Sequence, residues 1–192
     1  MIKPLITMMA AYNRWANRRL YGAAATVPDH DYRADRGAFF GSLHGTLNHL
    51  LLGDLIWMQR FTDEGEAPGR LDAILHEDFA ALRRARETLD QRIIDYAEAL
   101  TDEALAGTTR YRSTRSPAEL EQELAPLLLH FFNHQTHHRG QAHTLLTQIN
   151  GEAPSFDLLI FQRETGASMI KGAGGDFSKP ERRPRQSKIG SA

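Results

Sequence analysis

Residues 130–141 read HFFNHQTHHRGQ and contain four of the nine histidines of the chain. Leucines precede this stretch, and further apolar residues follow it at helical spacing as far as Ile149. Apart from Gly140, no residue between Pro126 and Asn150 disfavours a helix, and Gly151 suits the position that follows a helix end. We therefore predict one long amphipathic helix over 126–150 that carries several imidazole side chains.

The helical phase of the histidines decides which of them can act together. An α-helix turns about 100° per residue, so His138 lies about 40° from His134, inside the apolar arc. His130 and His137 lie at the edge of that arc, and His143 points to the opposite side. Side chains four residues apart are neighbours, so His134 can pair with His130 or with His138. The pair His134 and His138 is better centred on the buried face, where both imidazoles could bind one ion.

The HxxxH spacing is a weak motif by itself, because an isolated core histidine is often only a hydrogen-bonded polar group. Two neighbouring buried imidazoles cost desolvation energy unless a partner satisfies them, and this favours a metal ion. The helical motif of zinc proteases requires a glutamate directly after the first histidine. Gln135 occupies that position, so a protease of this type is excluded.

Composition indicates a soluble globular protein. The chain has 192 residues, a formal net charge of −1, 41% hydrophobic residues, 24% charged residues and no cysteine. The length is sufficient for one core, and the lack of cysteine excludes disulfides, cysteine metal ligands and a cysteine nucleophile. The near-neutral charge argues against a dedicated nucleic-acid binder. The sequence shows neither a signal peptide nor a segment of membrane-spanning length, so we expect a cytoplasmic protein without membrane association.

Three other long helices are predicted from apolar residues that recur at three- and four-residue steps, over residues 4–26, 42–62 and 72–100. Residues 28–41 are predicted to form a loop, and Thr108–Tyr111 a β-prone piece of an irregular hairpin. Ser155 is expected to cap a short fifth helix over 156–164. The predicted fold class is therefore all-α, a four-helix bundle with a short extra C-terminal helix, and bundle cores often contain metal sites.

Polar residues on the first and third helices are expected on solvated faces, among them Asn13, Asn17 and Arg86. After residue 167 the composition changes to glycines followed by lysines and arginines. We predict a bundle domain over residues 1–167 and a disordered basic tail over residues 168–192.

The second predicted helix is apolar on nearly all sides, which is typical of a helix buried on all sides. Its leucines at positions 50–52 and 55 cannot all face one intramolecular core, so we expect a second subunit to cover part of this helix. His49 and Asp54 are its polar exceptions, and buried polar groups need a partner. For His49 considered alone, a hydrogen-bonded core histidine is the more common explanation.

Three sequence blocks resemble the DinB/YfiT-like superfamily of metal-binding four-helix bundles. They are YNRWAN at 12–17, SLHGTLNH at 42–49 with Asp54 and Trp57 beyond it, and HQTHHRGQ at 134–141 with Asp157 beyond it. The blocks occur in the order of the family and extend over most of the chain except the tail. The third block is quite specific, whereas the first is weak alone.

The resemblance implies that His49, His134 and His138 bind one divalent metal ion per subunit, zinc or nickel, and that the protein is a homodimer. The pair on the last long helix is also the one that the helical phase selects. Imidazole ligands do not decide the metal, because zinc, nickel, copper and iron all accept them.

Three imidazoles leave at least one coordination position open, as in catalytic rather than structural sites. Relatives of this fold look like thiol-dependent S-transferases, so the resemblance implies an enzyme that transfers a small thiol to an electrophile. Because the chain has no cysteine, the thiol must be a low-molecular-weight cosubstrate. No catalytic side chain is assigned.

Two alternatives remain open. The first is a metal-dependent hydrolase that activates water, although no carboxylate stands beside the histidines to act as base. The second is a dimeric binding protein whose metal is structural, with a fourth ligand supplied by His130, His137 or Asp54. A DNA-binding function would depend on the basic tail alone, and we do not favour it.

Overall fold

Four long helices form the bundle that the sequence predicts. The structure is a computed structural model, and it describes residues 2–66, 68–113 and 118–168. The helices are α1 (Lys3–Ala24), α2 (Asp29–Arg33), α3 (Leu43–Thr62), α4 (Phe79–Ala99), α5 (Asp102–Leu105), α6 (Leu124–Asn150) and α7 (Leu158–Thr165). Strands β1 (Thr108–Arg112) and β2 (Glu119–Glu123) form an antiparallel hairpin before α6, as expected for this connection. Backbone contacts divide the chain into two compact units, with the boundary between Phe156 and Asp157.

The predicted ends of α1, α3 and α6 lie within two residues of the observed ends. The N-terminus of α3 is capped by Ser42, whose Oγ accepts a hydrogen bond from the backbone N–H of Gly45 at 3.0 Å. Gly151 ends α6 in the left-handed conformation, with a φ of 76°. These three helices were predictable because both their apolar periodicity and their end signals are local.

The predicted start of α4 at residue 72 is wrong, because the helix begins at Phe79. The backbone N–H groups of Leu75 and His76 instead donate to Oδ1 of Asn48, at 2.9 and 3.0 Å. Nδ2 of Asn48 lies 3.3 Å from the carbonyl oxygen of His76. This side chain therefore holds the segment before α4 against α3, and Asp78 caps the helix by accepting from Ala81 at 2.7 Å.

Two further boundaries differ from the prediction. The predicted loop 28–41 contains the short helix α2, which follows Pro28 and has acidic residues in its first turn, where the helix dipole favours them. In the second unit, α7 begins after Asp157 rather than after Ser155. The Asp157 carboxylate accepts from the backbone N–H of Leu159 at 2.8 Å and caps the helix.

The predicted basic tail lies outside the described residues, except for Ser168. Within the described ranges, none of the helices combines the length and the apolarity that crossing a membrane requires. The cytoplasmic location stays a prediction.

The leucines of α3 do not require a second subunit. Leu50, Leu51 and Leu52 are 2%, 1% and 0% exposed within this one chain, and Leu55 packs against the same core. The premise that they cannot all be covered internally is wrong, because α2, α4, α6 and β1 all contact α3. The homodimer stays a prediction that depends on the resemblance alone.

A buried polar cluster lies between the four long helices. Its charged members include Arg86 of α4, whose guanidinium donates to the Asp54 carboxylate at 2.5 Å and lies 3.1 Å from that of Asp90. All three side chains are at most 2% exposed. The prediction that Arg86 lies on a solvated face is therefore wrong, because two carboxylates of α3 and α4 surround it inside the bundle.

Asn13 and Asn17 of α1 are also buried, contrary to the prediction of a solvated face. Their side-chain amides donate to the Asp90 carboxylate, at 3.3 Å and 2.9 Å respectively. Arg139 of α6 donates to the side-chain oxygen of Asn13. Each long helix thus contributes a side chain to one buried polar layer, whose hydrogen bonds offset part of the cost of burying it.

Candidate metal centre

Three histidines from two helices converge at one point of the bundle. The Nε2 atom of His138 lies 3.2 Å from Nε2 of His49 and 3.1 Å from Nε2 of His134. One ring nitrogen of each residue lies within 4.8 Å of those of the other two. The structure therefore brings together the three predicted ligands: α6 presents His134 and His138 one turn apart, and the crossing of α3 adds His49.

These spacings fit one bound ion. Zinc binds histidine nitrogen at about 2.0–2.1 Å, so two nitrogens at a tetrahedral angle lie about 3.3 Å apart. The observed separations of 3.1 and 3.2 Å are close to that value. Both separations that involve His138 therefore match the spacing of two nitrogens bound to one zinc ion.

The hydrogen bonds of the other ring nitrogens strengthen this interpretation. Nδ1 of His49 lies 2.7 Å from the carbonyl oxygen of Leu71, and Nδ1 of His138 lies 2.8 Å from Oε1 of Gln141. An oxygen acceptor places the single proton of a neutral imidazole on Nδ1 and leaves a lone pair on Nε2. The lone pairs of His49 and His138 then face each other, an arrangement that a cation between them would stabilise.

Burial keeps the cluster neutral. Burial, followed by the neighbouring imidazoles, lowers the pKa of His134 to about 3. Burial also lowers the pKa of His138 to about 4. It lowers the pKa of His49 as well, and the hydrogen bond to the Leu71 carbonyl opposes that effect. Neutral imidazole is the form that ligates metal, so these rings are available at neutral pH.

Sequence reasoning missed the groups that orient His49. The Leu71 carbonyl belongs to the segment that Asn48 fastens to α3, so Asn48 supports the hydrogen bond to His49 indirectly. Such supporting contacts commonly fix the orientation of ligating histidines. The signal that the sequence offered was a polar residue, Asn48, directly before His49 in a largely apolar helix.

Phe40 is a second residue that the sequence did not indicate. Its ring stacks on the imidazole of His49, with centroids 3.7 Å apart and an angle of 18° between the planes. Its ring also forms a T-shaped pair with the imidazole of His138, with centroids 5.5 Å apart. The approach of its backbone to α3 is close, because a Cβ added to Gly45 would collide with the Phe40 carbonyl oxygen. Phe40 thus forms an apolar wall beside two of the three histidines.

Comparison with known proteins identifies the family of this bundle. The chain matches the sequence profile of the DinB family over residues 1–173. The chain belongs to the DinB family. It is 23% identical over 168 residues to Protein DinB of Bacillus subtilis (strain 168), an alignment that covers 80% of this chain and 92% of that protein. No solved structure matches the chain significantly.

Within the described part of this DinB-family chain, the candidate group contains no fourth metal-binding side chain. Asp54, one of the residues that could have closed the site, is instead paired with Arg86 at 2.5 Å. His130 is exposed and packs its ring on Trp57, with its centroid 6.0 Å from that of His134. His137 is exposed beside His138. Among the described residues, none of these three side chains joins the group formed by His49, His134 and His138.

Two other histidines lie apart from the site, and for His143 the helical phase predicts this. His143 packs against Phe156, with ring centroids 5.5 Å apart. His44 lies on another side of α3, where its Nε2 is 3.0 Å from the His76 carbonyl oxygen and its Nδ1 is 3.3 Å from Arg33. His44 is therefore an ordinary core histidine that is held by hydrogen bonds. The same role was the alternative considered for His49.

Proposed function

We propose that this DinB-family protein binds one divalent metal ion per subunit, zinc or nickel, through His49, His134 and His138. The observation that carries this proposal is the convergence of three Nε2 atoms from largely buried, neutral rings. Two of these rings present lone pairs to each other because their Nδ1 atoms face oxygen acceptors. Copper and iron accept the same ligands, so elemental analysis must distinguish the metals.

The geometry of this centre agrees better with a catalytic metal site than with a structural one. Structural zinc sites are usually closed by four protein ligands, whereas catalytic sites bind the metal through three and keep a position for water or substrate. In the described residues the group consists of three histidines. A bound ion would therefore keep a coordination position for a small molecule.

The reaction that we propose is the transfer of a low-molecular-weight thiol to an electrophile. When bound, the ion would acidify a coordinated thiol, and the thiolate is the nucleophilic form. The sulfur forms a bond to the electrophilic carbon, the leaving group departs with the electrons of the broken bond, and the thiol proton passes to solvent. The chain itself contains no cysteine, so the thiol is a second substrate.

The protein groups around the centre support binding and orientation in this reaction. The Leu71 carbonyl and Gln141 hold two rings with their Nε2 atoms directed inward. Phe40 covers one side of His49 with an aromatic face and so excludes water from that side. An apolar wall of this kind suits the organic part of an electrophile or thiol.

A hydrolase is less well supported, because activation of water commonly uses a carboxylate base near the metal. Among the described residues no carboxylate joins the candidate group. The nearest candidate in sequence, Asp54, is 1% exposed and hydrogen-bonded to Arg86.

The function can be tested by a thiol screen on the metal-loaded protein, with a chromogenic electrophile as second substrate and a chromogenic ester without thiol in parallel. We expect thiol-dependent product that is lost in His138→Ala and retained in His143→Ala. Thiol-independent cleavage of the ester would favour the hydrolase. Full metal content without either reaction would favour a binding protein.

We also propose a homodimer. This proposal depends on the family resemblance, since the leucines of α3 are covered within the chain. A dimer interface would have to use other surfaces, such as those around Leu5 and Leu129, which are 58% and 70% exposed.

A further inference from the structure

The three histidines of the centre are not held in the same way. His49 and His138 each direct Nδ1 at an oxygen acceptor. Nδ1 of His134 is buried and has no hydrogen-bond partner among the described residues. A hydrogen bond from the second ring nitrogen is the usual device that orients a ligating imidazole. Something other than a hydrogen bond must therefore orient the ring of His134.

The ring of His134 lies against Gly53 of α3. A Cβ added to Gly53 would be 2.9 Å from Cε1 and 3.5 Å from Nδ1 of that ring. The first distance is too short for two carbon atoms, whose optimal separation is about 3.5–4.0 Å. Cε1 lies between the two ring nitrogens, so a side chain here would displace the edge that carries Nε2.

Gly53 also stands one helical turn after His49 on the same helix. Residues four apart are neighbours on a helix surface, so α3 presents a ligand and an open space side by side. Glycine is unfavourable in a helix interior compared with alanine. Since φ at Gly53 is not positive, backbone conformation does not require glycine there, and the contact with His134 explains its presence.

We infer that Gly53 is a positioning residue of the metal centre: its missing side chain makes the space that orients His134, in place of a hydrogen bond. This inference rests on the proposed metal site and adds a specific role for a residue that binds no metal itself. It predicts that a single methyl group on α3 weakens metal binding although all three histidines are retained.

The test is a Co²⁺ titration of the full-length, metal-free protein carrying Gly53→Ala, followed by absorption spectroscopy. Gly22→Ala on α1 is the matched control, because a Cβ there meets no atom within 4 Å. We expect Gly53→Ala to weaken Co²⁺ binding by about 10- to 100-fold, the usual effect of losing a supporting contact, and to alter the ligand-field spectrum. Gly22→Ala should change neither.

Equal affinity and an unchanged spectrum in Gly53→Ala would overturn the inference. Absence of Co²⁺ binding by the wild-type protein would instead contradict the proposed function. The steric contact is then tested separately by denaturant unfolding of the metal-free protein, with Gly53→Ala made in the wild type and in His134→Ala. In the His134→Ala background, where the ring is absent, we expect Gly53→Ala to raise the free energy of unfolding. In the wild-type background we expect the same change to lower it or to prevent folding. The same stability change in both backgrounds would show that the methyl group and the ring do not meet.

Discussion

The Nε2 atoms of His49 and His138 lie 3.2 Å apart, although Nδ1 of each ring already faces an oxygen acceptor. Two neutral imidazoles in this state cannot donate to each other. An Nε2–Nε2 contact of this kind is one that a cation between the rings would stabilise. This relationship links the geometry of the bundle to the proposed activity.

Asn48→Ala should weaken both the fold and metal binding. The change removes the acceptor of the Leu75 and His76 N–H groups, which are partly buried. An unpaired polar group costs about 1–3 kcal/mol when it is fully buried, so we expect a smaller loss of stability here. The released segment should no longer hold the Leu71 carbonyl at His49, which we expect to lower metal affinity by about 10-fold or more. Hydrogen exchange at Leu75 and His76, together with a metal titration, measures both effects.

The control for this variant is Asn133→Ala, because Asn133 is an exposed residue of α6. It should leave exchange and affinity unchanged. Unaltered protection of the two amides in Asn48→Ala would contradict the assigned role of Asn48.

Phe40→Ala should lower metal affinity modestly without preventing binding. Its ring stacks on His49 at 3.7 Å, and aromatic pairs contribute about 0.5–1.5 kcal/mol beyond their buried area. That energy corresponds to a loss of about 2- to 10-fold in affinity, measured by calorimetric titration. Phe39 is 84% exposed, so Phe39→Ala is the control. An effect of Phe39→Ala as large as that of Phe40→Ala would contradict this account of the apolar wall.

Arg86→Met should destabilise the bundle by about 3–5 kcal/mol, because it leaves the buried carboxylates of Asp54 and Asp90 without their cation. Arg84→Met on the exposed side of α4 should change the free energy of unfolding by less than about 0.5 kcal/mol. Chemical denaturation of both variants provides the comparison. Similar stability of the two would mean that the buried ion pairs do not support the fold.

The homodimer should be visible by sedimentation velocity at micromolar concentration. A single species with the 21.6 kDa mass of one chain would refute it. If a dimer forms, Leu129→Glu tests one exposed candidate surface, with Leu159→Glu in the second unit as a comparison for the same charge change.

The histidine pair could be predicted from sequence because a helix fixes the relative direction of residues four apart. The phase argument selects His134 and His138 from one segment, and the structure directs their Nε2 atoms towards each other. The addition of His49 needs the family resemblance, since nothing local indicates which helix crosses α6 at that point.

The supporting groups could not be predicted, because each depends on a contact between distant parts of the chain. The Leu71 carbonyl is a backbone group next to a segment whose apolar pattern predicts a helix, and Asn48 prevents that helix from starting there. Asn13 and Asn17 are expected on a solvated face because polar residues usually lie there. Their burial follows from Asp90, a charged residue on another helix.

Metal content, measured by elemental analysis of single variants, tests whether His49, His134 and His138 bind one ion together. We predict about one equivalent of divalent metal in the wild type and in His143→Ala, a smaller change in His130→Ala or His137→Ala, and a sharp loss in His49→Ala, His134→Ala and His138→Ala. Retention of metal in His138→Ala with loss in His130→Ala would identify the other histidine pair as the ligands. Unchanged metal content in all three central variants would contradict the account and leave the histidines as a buried polar cluster.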